Sequence, residues 1–406
     1  MNRPPFFLTT LLPLLLLLFV NSRVYAQDKK VLSRTGQVPI GRYVDYLEDK
    51  EQKLSIREVV SAEYASKFIR SDKDILNFGF TNSVYWVRFE IDGSYRPVEQ
   101  EYILEINYPL IDQLTIYRQD EFGAWSEDTE GDRFPFKDRE IAHRNIAHKI
   151  VVPPRKVSTF YLRFQTEGSM QIPIMIWKSH DFYNQAFNEN MIFGILYGTL
   201  FVVVAYNIFL FWIVQKWLHL AFAAMIVLSI LFLATQNGYA FKYLWSSGTQ
   251  WTNHALPIAT GLLTCASCIY LIKMLEIEQY SVLMYVSLVT IAVLGIFTAI
   301  APFVTTHNFS IKFGLINGLL AAFVSLSSSV ICRLKGGMQS RYLIPASYLY
   351  LIGIMLVSLK AFGIIETTFI STHGVELGSV CQAVFYSLGL REKYAITVET
   401  EPNTTT

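Results

Sequence analysis

Few side chains in this chain have reactive chemistry, and their spacing is poor for using it. Cys265 and Cys268 form a C-x-x-C pair, the spacing of a redox dithiol, inside an apolar run with nothing to stabilise a thiolate. Cys332 and Cys381 also lie in apolar runs. His143 and His148 are five residues apart, whereas two ligands on one face of a strand need an even spacing, so no metal pair is expected. The chain contains no G-x-S-x-G, no H-E-x-x-H and no phosphate-cradling glycine loop. The expectation is therefore neither an enzyme nor a cofactor protein. What remains is aromatic and guanidinium surface: Trp86, Arg88, Tyr108, Tyr117, Trp125 and Arg144. Rings beside planar donors suit sugars, carboxylates or other small polar ligands. The competing reading is that Trp86 and Arg88 only cover the outer face of a sheet.

The elements that carry these residues alternate with period two. In YWVRFEID (85–92), Tyr85, Val87, Phe89 and Ile91 face one way, and Trp86, Arg88, Glu90 and Asp92 the other. EYILEINY (101–108), DQLTIYRQ (112–119), TFYLRFQT (159–166) and QIPIMIWK (171–178) behave alike, with 120–132 as a polar turn and a helical turn near 61–68. Half-buried strands of this kind predict an antiparallel β-sandwich of jelly-roll type. Composition sets its limits. Of 34 Lys and Arg, 22 fall within residues 27–185, as do 25 of 33 Asp and Glu, so a polar domain precedes a mostly hydrocarbon remainder. The net charge of +1 gives no reason to expect a nucleic-acid partner.

Residues 1–26 read as a secretory signal: Arg3, an apolar core from Phe6 to Val20, and Val24-Tyr25-Ala26 at the cleavage site. Seven apolar runs follow the polar domain, at 191–214, 218–239, 255–275, 281–304, 309–332, 343–365 and 375–390. An exported sandwich and seven spans put Lys216, Lys273, Arg333, Lys335, Arg341, Arg391 and Lys393 inside and leave Lys242 alone in the outer loops, the positive-inside pattern. The tail from 395 then lies in the cytoplasm, threonine-rich and without a heptad, so no coiled linker is expected. Lys312, Lys360 and Glu376 map to the outer third of the membrane, where an unpaired charge is costly. Either lysine is expected to pair with Glu376 beneath the sandwich or to reach the headgroups. Asn207, Gln236, Asn237, Asn317 and Gln382 could bond between helices, and Gly194/Gly198 and Gly314/Gly318 would allow close helix contact or a homodimer.

Several stretches resemble the bacterial seven-transmembrane receptors with diverse intracellular signalling modules. FGILYGTLFVVVAYNIFLFWIVQKWLHLAFAA (193–224), NGYAFKYLW (237–245) and residues 356–394, with Gly374, Gly378, Ser379 and SLGLREKY, are similar to that family's helices. ILNFGFTNSVYWVRFEI (75–91), LIDQLTIY (110–117), STFYLRFQT (158–166) and PIMIWKSHDF (173–182) resemble its second type of extracellular domain, thought to bind carbohydrate. The resemblance implies reception of a small ligand or glycan outside an inner membrane. Gln382 stands where the family commonly has an acid, and no effector domain follows residue 394. A separate cytoplasmic signalling protein is therefore expected on Arg333, Lys335 and Arg341, or else the chain is a truncated or decoy receptor. A transporter or channel accessory and an anchored adhesion or scaffold module stay open as alternatives.

Overall fold

The computed structural model describes residues 37–120 and 123–400. The expected leader, 1–26, and the end of the expected tail, 401–406, lie outside the described residues. A six-stranded antiparallel sheet runs in the order Ile69–Arg70, Asp45–Asp49, Val84–Asp92, Val157–Gln165, Gln113–Gln119, Trp125–Glu130. It faces a four-stranded sheet ordered Gln37–Pro39, Ile174–Lys178, Gln100–Ile106, Ile146–Val152, and a ribbon of Ser169–Ile172 with Leu76–Phe80 completes the sandwich. The predicted alternation holds. Tyr85, Val87, Phe89 and Ile91 enter the inter-sheet core beside Leu104, Ile106, Leu162 and Phe164.

Two expectations change here. The polar stretch expected as one turn, 120–132, contains the strand Trp125–Glu130, which pairs along Gln113–Gln119. Its alternating polar residues suit an edge strand, and Thr129 hydrogen-bonds across to Thr115 at 3.2 Å. The run 171–178 is two strands, separated at Pro173, which cannot donate to a ladder.

Seven long helices follow: Ser179–Val214, Trp217–Gln236, Thr249–Leu275, Val282–Ile300, His307–Leu334, Ser340–Ala361 and Phe369–Thr400, called first to seventh below. Among the described residues, six of them (all but the seventh) are long and apolar enough to cross a membrane. The seventh packs along the sixth. Its helix continues through residue 400, into the segment expected as a short tail from 395. The first helix begins at Ser179, immediately after the strand Ile174–Lys178, and not at 191. Phe182 explains the early start. It is buried against Trp177 and His143, with ring centroids 6.3 and 5.1 Å away, so the helix's first turns belong to the sandwich core. Strand and helix thus join without a flexible linker.

Several of the polar residues picked out in the apolar runs do tie helices together. Asn207 Oδ1 lies 3.0 Å from His219 Nδ1 between the first and second helices, and Asn317 donates to Thr298 at 3.4 Å between the fifth and fourth. Within the chain, the expected close helix contact needs correction at three of the four glycines. A Cβ on Gly194, Gly198 or Gly318 would meet nothing within 4 Å, and on Gly314 it would meet the methyls of Thr298 and Thr260 at 3.2 and 3.6 Å. The close crossings are elsewhere, at Gly261 with Gly295 and at Gly353 with Gly374.

Candidate functional site

The predicted ligand residues separate into two groups. Trp86 is fully buried and stacks on Tyr117 at 5.4 Å, and Trp125 meets Tyr161 edge-on at 5.6 Å. The turns Ile56–Val59 and Ala62–Ala65 lay Val59, Tyr64 and Phe68 over this sheet face. Arg88 is ion-paired to Asp45 at 2.9 Å with its guanidinium over the Phe68 ring. This face, expected to be open to ligand, is a small second core: apolar side chains at 56, 59, 60, 64 and 68 close it because that burial is favourable. Trp86 is therefore closed to ligand, and Arg88, Tyr117 and Trp125 are only partly exposed around it.

Tyr108 and Arg144 lie together at the other end of the sandwich, against the bundle. They line a cavity of about 130 Å³ whose other walls come from the second, third, fifth, sixth and seventh helices. The seam around it is polar and well bonded. Asn77 Nδ2 donates to the Lys360 carbonyl at 2.8 Å, Ser169 Oγ to the Ala361 carbonyl at 2.7 Å, and Asn308 Nδ2 to the Glu167 carbonyl at 3.1 Å. Phe80 packs on Phe362 with centroids 5.3 Å apart, and Lys312 sits over the Phe80 ring at 5.0 Å.

Arg144 is the centre of this seam. Its guanidinium is buried, 2.8 Å from Glu189 of the first helix, and lies over the rings of Phe193 and Tyr239. Asn145 connects it inward, donating to Glu105 Oε1 at 2.7 Å, while Trp177 Nε1 donates to Glu105 Oε2 at 2.8 Å. Burial and then the Glu189 charge push the Glu105 carboxyl up to about 7, against two donors that favour its charged form. Glu189 was missed in the sequence because it precedes an apolar run and reads as a solvated start. Glu105 carried a signal, a lone acid within the apolar strand Tyr102-Ile103-Leu104-Glu105-Ile106.

The expected pairing of Lys360 or Lys312 with Glu376 does not occur. Glu376 Oε1 instead accepts from Asn237 Nδ2 at 3.1 Å and lies 3.7 Å from His373 Nδ1. Lys360 Nζ donates to Thr372 Oγ1 at 3.4 Å. Asn237, at the end of the second helix, supplies the donor that Glu376 meets. At the far end of the bundle, Arg333 contacts Met338 Sδ at 3.3 Å, Lys335 donates to the Tyr280 carbonyl, and Arg341 pairs with Glu392 at 3.1 Å.

Gly238 fixes the seam's geometry. Its φ is +78°, and a Cβ there would come 2.7 Å from Pro109 Cβ and 2.8 Å from the Arg144 carbonyl. Gly238→Ala is expected to destabilise by about 1–3 kcal/mol, from backbone strain and from crowding of the seam. Thermal unfolding of the purified protein in nanodiscs measures it; an unchanged midpoint would show that the seam can open at no cost.

His148 gives the sandwich a pH dependence. Its ring lies 3.0 Å from Glu130, 3.1 Å from Glu140 and 3.6 Å from Asp128. Burial opposes its charge, but Glu130 first, then Glu140 and Asp128, outweigh burial and raise its pKa. The folded value exceeds that of the unfolded chain, about 6.5. The stabilisation is therefore complete below about pH 6.5 and is lost as pH rises through the folded value. Glu105 acts in the same direction at lower pH, its contribution lost as pH rises through about 7. Above about pH 6.5, where the buried His143 is neutral in both states, the unfolding midpoint is expected to fall up to about pH 9, and His148→Gln to flatten that fall. A midpoint that rises over this range would contradict the assignment.

A polar sandwich joined without a linker to a bundle of membrane-spanning helices, with a cavity in the seam, defines a membrane protein with an extracellular domain and a multi-span region. Two family models match. The 7TMR-DISM extracellular 2 model covers residues 41–178, and the 7TM diverse intracellular signalling model covers residues 189–393. The chain belongs to the 7TMR-DISM family, the seven-transmembrane receptors with diverse intracellular signalling. No match was found among curated proteins.

Proposed function

We propose that the chain is a receptor that takes a small ligand on its extracellular side and passes the bound state through the helices to a separate cytoplasmic signalling protein. The observation that carries this reading is the seam. The strand Ile174–Lys178 runs straight into the first helix, and Arg144 is bonded to Glu189 two turns or more further on. A change in packing at the cavity therefore moves a rigid helix and is not absorbed by a linker. This is two-state coupling between sites and involves no chemistry on the ligand. Carbohydrate fits the family's extracellular domain as a ligand class, but the aromatic face that favoured it in the sequence is covered by Val59, Tyr64 and Phe68.

The output side of the reading rests on charge. Arg333, Lys335 and Arg341 gather at the end of the bundle away from the sandwich, beside Lys393, which is 2.9 Å from Glu276. The positive-inside rule orients that end toward the cytoplasm, where these side chains are the contacts we assign to the partner. Hydrogen exchange of the full chain in nanodiscs tests transmission without knowledge of the ligand. Arg144→Ala should alter exchange at 333–341 and 391–394 as well as at the seam. Faster exchange confined to the seam would defeat the reading.

A further inference from the structure

The seam cavity contains a buried cation with no ion-pair partner within 4 Å among the described residues. Lys360 is 6% exposed, yet its ammonium makes one hydrogen bond, 3.4 Å to Thr372 Oγ1, and has no salt-bridge partner among the described residues. Glu376 on the seventh helix acts on Lys360 only from beyond ion-pair distance: its Oε1 meets Asn237 and His373, and its Oε2 has no hydrogen-bond partner. Arg144, the other cation on the cavity wall, is already neutralised by Glu189. On the sandwich side Asp132 is 3% exposed, and its Oδ1 has no hydrogen-bond partner. Burial, and then the charge of Asp112, hold this carboxyl well above the ordinary range. The rest of the wall is mixed: Leu256, Ile311, Leu315 and Val357 form an apolar patch among polar side chains that include Asn253, His307 and Thr367.

From this arrangement we infer that the cavity is a site for a short-chain monocarboxylate, its carboxylate against Lys360 Nζ and its hydrocarbon body against Leu256, Ile311 and Leu315. The inference rests on reading the seam as the receptor's input. Desolvating an ammonium is costly unless it is paired, and a carboxylate supplies the pair as a charge-assisted hydrogen bond. Size supports the same class. A cavity of about 150 Å³ holds benzene, so about 130 Å³ accommodates on the order of six non-hydrogen atoms. A hexose has about twice that number of atoms and does not fit the volume. Inorganic phosphate would leave the apolar patch of Leu256, Ile311 and Leu315 uncovered.

Butyrate is the probe, with butyramide, butylamine and glucose as comparisons, on the full chain in nanodiscs. Butyrate is expected to raise the unfolding midpoint in a dose-dependent way by mass action, and the comparisons are not. Lys360→Met should weaken butyrate at least tenfold, whereas Lys360→Arg should retain it. Where Lys360→Met fails to fold, Leu315→Trp, which fills the hydrocarbon end and leaves the ammonium in place, should abolish binding seen by ligand-observed NMR. Equal stabilisation by butyramide, equal butyrate affinity in wild type and Lys360→Met, undiminished binding in Leu315→Trp, or no effect of butyrate at all would overturn the inference. The receptor reading fails by a different sign: butyrate binds through Lys360, yet exchange at 333–341 and 391–394 is unchanged. Stabilisation by glucose without butyrate would overturn the carboxylate and keep the receptor.

Discussion

Replacing Arg144 by alanine is expected to destabilise the protein by about 3–5 kcal/mol, one of the two largest single-residue losses predicted for this chain. The loss comes mainly from what is left behind. Glu189, 2.8 Å from the guanidinium and largely buried, would keep its charge without a partner. Asn145 would lose its contact to the guanidinium at 3.3 Å, and Phe193 and Tyr239 would lose the cation stacked on their faces. The double change Arg144→Met with Glu189→Leu removes both charges and should recover most of the loss, since a buried ion pair is often replaceable by apolar groups of similar volume. That contrast separates burial of an unpaired charge from simple loss of packing. Equal destabilisation in the single and double variants would show that the packing of Arg144, not its pairing, holds the seam. Thermal unfolding in nanodiscs, read with exchange at the first helix, gives both quantities.

The same residue shows how much of the site was legible beforehand. Arg144 and Tyr108 were named from residue type alone, and both line the cavity. Trp86, Arg88, Tyr117 and Trp125 had the same types and lie under a cap instead. Period-two alternation assigns a side chain to one of two faces but does not say whether a distant segment covers that face. The residues that cover it, from 54 to 68, pass as an ordinary polar segment with a few apolar positions. The strands and helices were readable because hydrophobic period and length are local. The seam was not, because Asn77, Ser169 and Lys360 meet across nearly the whole chain, and Asn77 and Ser169 donate to backbone carbonyls that no side-chain pattern records. The Lys360–Glu376 pairing failed for a related reason. Depth in the membrane was inferred correctly enough to group the two charges, but the competing donor, Asn237, comes from a different helix.

Gly353 is where the second large effect is expected, and it again lies outside the glycine pairs that the sequence made prominent. A Cβ on Gly353 would stand 2.3 Å from the Gly374 carbonyl oxygen and 2.6 Å from its carbon, and one on Gly378 would stand 2.9 Å from Tyr350 Cα. These neighbours are backbone, so no side chain can rotate away; the sixth and seventh helices must separate. Gly353→Ala is expected to destabilise by about 3 kcal/mol, at the upper end of overpacking changes, and Gly353→Val by more. Separation would strain the hydrogen bond of 2.9 Å between Ser347 and Tyr386 and pull Glu376 away from Asn237. Both contacts connect the seventh helix to the rest of the bundle, so the damage should spread from the crossing to the seam. Gly318→Ala is the matched control. It faces open space, and adding a methyl group there should change stability by no more than about 1 kcal/mol, in the stabilising direction that helix propensity favours. The measurement is the unfolding midpoint of each variant, with gel filtration to confirm that the folded fraction is unaggregated. If Gly353→Ala proved as stable as Gly318→Ala, the two helices would not be held by backbone contact, and transmission from the seam could not depend on their fixed crossing.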